Sequence, residues 1–234
     1  MKIALLGYGR MGKAIEKIAV ERGHEIVLKV DQNTTDYDIS IADVAIDFSI
    51  PTAAVGNLTT CFKGNTPVVS GTTGWLDQYD EMVALCNQNK GGFIYASNFS
   101  LGVNLFFEIN KKVAQLMNPM LGDNYSVTSE EIHHTKKLDA PSGTAISLAE
   151  GVIENTSLKG WKLYESEKDE LTITAKRVGD VPGTHSITYH SEVDEIEIKH
   201  TAYNRSGFAL GAVVAAEWLA GKSGIYTMKD VLGL

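Results

Sequence analysis

The chain has 234 residues, of which 44% are hydrophobic and 21% charged, and a formal net charge of −8. That length supports one large domain or two modest ones with ample core, and the composition is ordinary for a globular protein. An acidic chain whose basic residues cluster only from His133 to Lys137 is not a sequence-independent nucleic-acid binder. Cys61 and Cys86 have neither metal-ligand spacing nor the look of a disulfide framework. No stretch approaches membrane-spanning length, and the N-terminus runs into a strand without a cleavable signal pattern. A cytoplasmic protein without nucleic-acid or membrane partners is expected.

The first third alternates strand and helix. Lys2 to Leu6 is a continuous apolar run, as in a strand buried on both faces, and Lys13 to Arg22 carries Ile15, Ile18 and Ala19 on one helical face. Gly23 stops that helix, and Glu25 to Val30 makes a second strand ending at Asp31. Further strands read as Val44 to Phe48, Pro67 to Ser70 and Phe93 to Ala96, with helical patterns between them, including Leu76 to Asn89. This order predicts a parallel, doubly wound sheet.

Gly7-Tyr8-Gly9-Arg10-Met11-Gly12 falls between the first strand and the first helix. Gly7 allows a tight turn, Gly9 lets a pyrophosphate approach the backbone, and Gly12 permits close helix–strand packing. Asp31 follows Gly12 by 19 residues, at the end of the second strand, where a carboxylate can bind adenosine-ribose hydroxyls. A dinucleotide site is therefore expected. Ser70-Gly71-Thr72-Thr73-Gly74 and Ser97-Asn98-Phe99-Ser100 fall at the carboxyl ends of later strands, where their hydroxyls and amides suit the nicotinamide end of such a cofactor.

After Ser100 the organisation changes. Leu101 to Asn118 reads as a long helix with an apolar stripe of Leu105, Phe106, Ile109, Val113 and Leu116, broken by Pro119, Gly122, Asp123 and Asn124. Leu171 to Val178, Gly183 to His190 and Glu195 to Thr201 read as antiparallel strands. Residues 101–206 then form an α+β domain with an open sheet. The closing helix, Gly207 to Ala220, returns to the first domain, which comprises 1–100 and 207–234.

Between these elements lies Glu130-Glu131-Ile132-His133-His134-Thr135-Lys136-Lys137-Leu138-Asp139-Ala140-Pro141-Ser142-Gly143-Thr144. On a strand, Glu131, His133, Thr135 and Lys137 would share one face, and His134 would point to the other. Pro141-Ser142-Gly143-Thr144 opens the apolar-periodic run from Ala145 to Ile153, so a helix N-terminus with free N–H groups follows at once. This combination suits gripping a carboxylate and handling a proton. A zinc site on His133 and His134 is disfavoured, because adjacent strand residues do not chelate one ion easily. His24, His185, His190 and His200 show no identifiable partners in sequence and receive no role.

These motifs resemble the dihydrodipicolinate reductase family. The matching pieces are Gly7 to Gly12, Asp47-Phe48-Ser49, Gly71-Thr72-Thr73-Gly74, Asn98 to Asn104, Glu131 to His134, Lys137 to Thr144, Arg177-Val178-Gly179-Asp180 and Arg205 to Ala212. They run in the family's order across nearly the whole chain. The string His-His…Lys-x-Asp-Ala-Pro-Ser-Gly-Thr is highly specific; the glycine fingerprint is not.

The resemblance implies an α/β protein with a Rossmann-like doubly wound parallel sheet and an α+β substrate and oligomerisation domain with a largely antiparallel open sheet. It implies NAD(P)H-dependent reduction of 4-hydroxy-tetrahydrodipicolinate (dihydrodipicolinate), a small cyclic dicarboxylate, in lysine and diaminopimelate biosynthesis, by a homotetramer. By position, His133 matches the family's acid/base histidine, Lys137 its proton donor, His134 a substrate-contacting histidine, and Gly143 and Thr144 the clamp on a ring carboxylate. The cofactor set is Gly7, Tyr8, Gly9, Arg10, Met11, Gly12, Asp31, Phe48, Ser49, Gly71, Thr72, Thr73, Ser97, Asn98 and Phe99; no metal is implied. Lys136 stands where many members have a histidine, and Lys136 and His134 are candidates for the second carboxylate. Gln32 stands where members favouring NADPH often carry arginine, so NADH is the expected cofactor. Alternative functions on this frame are another two-domain dehydrogenase of amino-acid metabolism and a non-catalytic dinucleotide sensor.

Overall fold

The computed structural model describes residues 1–122, 124–165, 167–204 and 206–234. Asp123 and Arg205, both named above, lie outside the described residues. In chain order the elements are β1 (Lys2–Leu6), α1 (Arg10–Glu21), β2 (Glu25–Val30), β3 (Val44–Asp47), α2 (Pro51–Lys63), β4 (Val68–Ser70), α3 (Tyr79–Gln88), β5 (Gly92–Tyr95) and α4 (Leu101–Met117). Then come β6 (Ser126–His133), α5 (Gly143–Ile153), β7 (Gly160–Leu163), β8 (Glu170–Arg177), β9 (Gly183–His190), β10 (Glu195–Ala202), α6 (Ser206–Leu219), β11 (Gly224–Tyr226) and α7 (Met228–Leu232). Two compact units result: Met1–Leu101 with Ser206–Leu234, and Gly102–Arg205.

In the first unit six parallel strands run in the order β11-β5-β4-β3-β1-β2. Alternate side chains leave opposite faces of a strand, so both faces must be covered. Ile3, Leu5 and Ile46 pack with Ile15 and Ala19 of α1 and Ala212 and Val213 of α6. Ala4, Leu6 and Ala45 pack on the other side with Leu58 of α2 and Met82 of α3. The expected helix from Leu76 opens as a 3₁₀ turn, Leu76–Gln78, before the α-helix begins at Tyr79. β11, α7 and, in the second unit, β7 were not anticipated; at three to five residues they are too short to show a period.

The second unit holds a five-stranded sheet ordered β10-β9-β6-β8-β7. β9 is antiparallel to β6 and to β10, whereas β8 is parallel to both β6 and β7. The strand read as Leu171 to Val178 is therefore not antiparallel to its neighbours, and the sheet is mixed. The chain crosses over through α5 between β6 and β7, and a crossover returns the next strand in the same direction. One face packs Val127, Ile173, Ile187 and Tyr189 against Phe106, Ala114 and Met117 of α4 and Leu148, Ala149 and Val152 of α5. The opposite face carries Thr128, Glu130, Thr172, Thr174, Lys176 and Thr188, half-buried or exposed.

α4 differs from its expected stripe. Val103, Phe106, Asn110, Ala114 and Met117 are buried, while Leu105, Ile109 and Leu116 are exposed. Both faces of this helix are apolar, so its period alone does not say which one packs; Asn110 faces inward because its Nδ2 donates to the Leu148 carbonyl at 2.9 Å. Among the described residues, no helix is long and apolar enough to cross a membrane.

α6 approaches the loop before α4 so closely that a Cβ at Gly211 would lie 1.6 Å from the Phe99 carbonyl oxygen. Gly211→Ala should therefore push helix and loop apart and cost about 1–3 kcal/mol. Urea unfolding measures this; an unchanged midpoint would refute the contact.

Candidate active site

The first unit builds a cradle from the ends of β1, β3, β4 and β5. Gly7 sits at φ +95°, and a Cβ there would lie 2.3 Å from the Phe48 carbonyl. A Cβ at Gly12 would lie 2.3 Å from the Gly7 carbonyl, whereas Gly9 has nothing within 4 Å. Gly9 is the N-cap of α1 and makes no side-chain cap bond, so the N–H groups of the first turn open onto free space, the arrangement that receives a pyrophosphate. Arg10 is exposed beside it, and Met11 packs on the core. These residues fit a dinucleotide.

Asp47 joins two of the loops. Its carboxylate is wholly buried and accepts from Ser49 Oγ (2.7 Å), Asn57 Nδ2 (2.8 Å), Ser70 Oγ (2.9 Å) and Thr72 Oγ1 (2.7 Å). Ser49 N in turn donates to Thr72 Oγ1 at 2.8 Å. Gly71 lies against the Phe48 ring, which packs at 5.7 Å between ring centroids on Phe99. Asn98 Oδ1 accepts from Ser100 N, and Thr73 and Ser97 are exposed. Phe48, Ser49, Gly71, Thr72 and Phe99 thus belong to one connected set. Asp47 and Asn57 had no assigned role, although an acid followed closely by hydroxyl residues was visible.

At the end of β2, the exposed Asp31 accepts through Oδ1 from Asn33 N (2.9 Å) and Thr34 Oγ1 (3.2 Å). Lys29 is paired with Glu16 at 2.5 Å and stands 4.8 Å from the Tyr8 ring centroid. Tyr8 itself donates to Glu16.

In the second unit β6 ends at His133, so Thr135 and Lys137 do not continue the face of Glu131 and His133. Thr135 is exposed, and its N–H turns to the Gly179 carbonyl at 3.0 Å. Lys137 N donates to the His134 carbonyl at 3.1 Å, closing a turn that no strand period predicts. The Lys137 ammonium is held by both oxygens of Asp139, at 2.9 and 2.8 Å, and that contact keeps the Asp139 carboxyl below its usual range. Lys136 is exposed. His134 is half-buried, and its buried Nδ1 has no partner among the described residues.

Glu131 has no exposed surface. Arg177 Nη2 donates to its Oε1 at 3.1 Å and Ser142 N to its Oε2 at 3.1 Å. His133 Nδ1 lies 3.3 Å from Oε2, an ion-pair distance that falls short of good hydrogen-bond alignment. Burial alone would raise the Glu131 pKa, but His133, Ser142 and Arg177 overcome it and hold the value at about 2. His185 completes the group: its ring centroid is 5.0 Å from that of His133, and its Nε2 is 3.1 Å from Ser142 Oγ. Burial, reinforced by His133, pushes His185 down to about 4, so it is neutral near pH 7.

Ser142 caps α5, accepting from Ala145 N at 3.2 Å. The N–H groups of Gly143 and Thr144, in the first turn, have no acceptor inside the helix, and Gly143 is exposed with open space where a Cβ would stand. Glu131, His133 and His185 bring one ligand atom each within 4.8 Å of one another. The Arg177 cation on Oε1 and the Ser142 N–H on Oε2 already occupy the carboxylate that a metal would need. Sequence reasoning left Glu131, Arg177 and His185 without roles: Glu131 shares the β6 face of His133, whereas Arg177 and His185 enter the group across strands, from β8 and β9.

Residues 1–99 match the family described as "Dihydrodipicolinate reductase, N-terminus", and residues 102–232 match "Dihydrodipicolinate reductase, C-terminus". The chain is 59% identical to the 4-hydroxy-tetrahydrodipicolinate reductase of Christiangramia forsetii over 99% of this chain and 98% of that protein. It is 32% identical to the enzyme of that name from Neisseria gonorrhoeae over 100% of this chain and 98% of the relative. A solved structure described as dipicolinate-bound dihydrodipicolinate reductase from Paenisporosarcina sp. shares the fold, with a TM-score of 0.80 at 23% identity over 98% of both chains. A two-part match that spans nearly every residue, with a whole-length relative at 59% identity, leaves one conclusion: this chain belongs to the dihydrodipicolinate reductase family.

Proposed function

We propose that the protein reduces 4-hydroxy-tetrahydrodipicolinate, or the dihydrodipicolinate formed from it by loss of water, to tetrahydrodipicolinate in lysine and diaminopimelate biosynthesis. The observation that carries this reading is the gathering of His133, the Lys137 loop and the open N-terminus of α5 around one buried carboxylate. Family membership makes the protein an NAD(P)H-using oxidoreductase. The dinucleotide, bound by the cradle of Gly7 to Gly12, Asp31, Phe48, Ser49, Gly71, Thr72, Thr73, Ser97, Asn98 and Phe99, supplies a hydride.

The second unit handles charge and proton. The free N–H groups of Gly143 and Thr144 receive one ring carboxylate, and the half-buried His134 receives the other. Hydride addition to a conjugated ring leaves excess electron density on it. The Lys137 ammonium stabilises that charge and delivers a proton from Nζ, while His133 serves as acid/base beside it. Its grip on Asp139 keeps the ammonium at hand until an anionic substrate competes for it. On the same reading the enzyme works in the cytoplasm, consistent with two free buried thiols, and assembles as a homotetramer. The uncovered hydroxyl-rich face of the β10-β9-β6-β8-β7 sheet supports assembly, since an open sheet favours pairing with further copies.

NADH is the proposed preference. Asp31 would repel a 2′-phosphate, no guanidinium follows at Gln32, and Lys29 is already committed to Glu16. Steady-state kinetics should give a higher kcat/KM with NADH than with NADPH; the reverse order would overturn this preference. In an assay that follows NADH absorbance with freshly made cyclic substrate, Lys137→Ala and His133→Ala should each lower kcat by about 10²–10⁴-fold. Wild-type rates in both variants would remove the active-site reading.

A further inference from the structure

Arg177 stands in a motif that the proposed chemistry does not use. Its guanidinium makes four directed bonds: Nη2 to Glu131 Oε1 (3.1 Å) and to the Asp139 carbonyl (2.6 Å), Nε to the Lys137 carbonyl (3.3 Å), and Nη1 to the Lys176 carbonyl (2.8 Å). It reaches these groups because β6 and β8 run parallel with His133 opposite Arg177. A planar fork of fixed donors suits several acceptors at once, which a lysine ammonium on a flexible stem does not. The turn after each strand is tied to the other: Val178 N donates to the His133 carbonyl at 2.8 Å, and Thr135 N to that of Gly179.

We propose that Arg177 and Glu131 are positioning residues: Arg177 fastens the Lys137 loop to the buried Glu131 carboxylate, and Glu131 orients the His133 ring with its proton on Nδ1. This inference rests on the reading of His133 and Lys137 as the proton-handling pair. A buried carboxylate is costly unless charge and hydrogen bonds satisfy it, and here each of its partners belongs to a different part of the site. Arg177 brings the loop, Ser142 brings the start of α5, and His133 brings the imidazole. An acceptor facing Nδ1 selects the tautomer that leaves Nε2 as the exchanging nitrogen. Space is kept at Nε2 as well, since a Cβ at Gly183 would come within 3.1 Å of it. Glu131 on β6 and His185 on β9 face this ring directly; Arg177 on β8 is paired with Glu131, and Lys137 on the loop and His200 on β10 act on His185. With His185 neutral, no cation on that ring competes for Glu131.

The test begins on the wild-type protein. Nitrogen-15 NMR of labelled histidines at about pH 9, where a free imidazole is neutral, should show His133 as the Nδ1–H tautomer, its signal identified by its loss in His133→Gln. An Nε2–H tautomer there would overturn the proposal without any variant. Glu131→Gln keeps the size of the side chain and removes the charge; kcat should fall on the order of 10–100-fold, with KM for the cyclic substrate changed less than about threefold, and the tautomer should become mixed. Arg177→Lys retains a charge beside Glu131 but not the fork, so it should lower kcat while the His133 tautomer persists. If His133→Ala is inactive yet Glu131→Gln and Arg177→Lys turn over at wild-type kcat, the positioning role is wrong and the active-site reading survives. If His133→Ala is itself active, the active-site reading fails first.

Discussion

Glu131 is a carboxylate without contact with water, and the second unit is arranged around the consequences. An ionised group in that position requires partners from several directions, and three parts of the chain supply them: β8 through the Arg177 guanidinium, the start of α5 through the Ser142 amide, and β6 itself through His133 at ion-pair distance. Each partner is thereby held in place by the acid it stabilises. The same contacts outweigh burial and keep Glu131 ionised down to about pH 2, so the framework persists across the working range of an enzyme. At the rim, where Lys137 meets Asp139, the charges reach solvent and can exchange partners.

The first unit solves a related problem with different chemistry. Asp47 is equally buried, but its partners are neutral: three hydroxyls and an amide. Hydroxyls rotate to suit their acceptor, and three of them close to two loops, with the Asn57 amide, can align those loops without introducing a positive charge. Ser49 and Thr72 gain their position from this one side chain, and Phe48 and Phe99 fill the space below them. The contrast follows from location. Asp47 ends a parallel strand among small polar loops, while Glu131 lies opposite His185 within a mixed sheet whose next strand ends in arginine.

Much of this was legible along the chain. Strands buried on both faces read as apolar runs, and the glycines at 7, 9 and 12 announced both the turn and the open start of α1. Ser142 before an apolar run marked the start of α5, with free amides at Gly143 and Thr144. Where two apolar faces competed, as on α4, period alone misjudged the orientation: Leu105, Ile109 and Leu116 are exposed and Asn110 is buried. Direction was equally hidden, because β8 carries the same alternation whether its neighbours run with it or against it.

The sequence by itself determined most of the longer elements, the dinucleotide turn and the identity of the chemical groups near His133, since these depend on neighbours in the chain and on the periods of helix and strand. Tertiary structure alone decided which groups meet. Lys137 left the strand face because β6 stops at His133, and Arg177 and His185 joined the site through cross-strand register, a relation between residues 44 and 54 positions apart in sequence, respectively, from Glu131's neighbourhood at His133 and from Glu131 itself. Such register is set by which faces bury together and by the crossover through α5, and neither leaves a local mark on the chain.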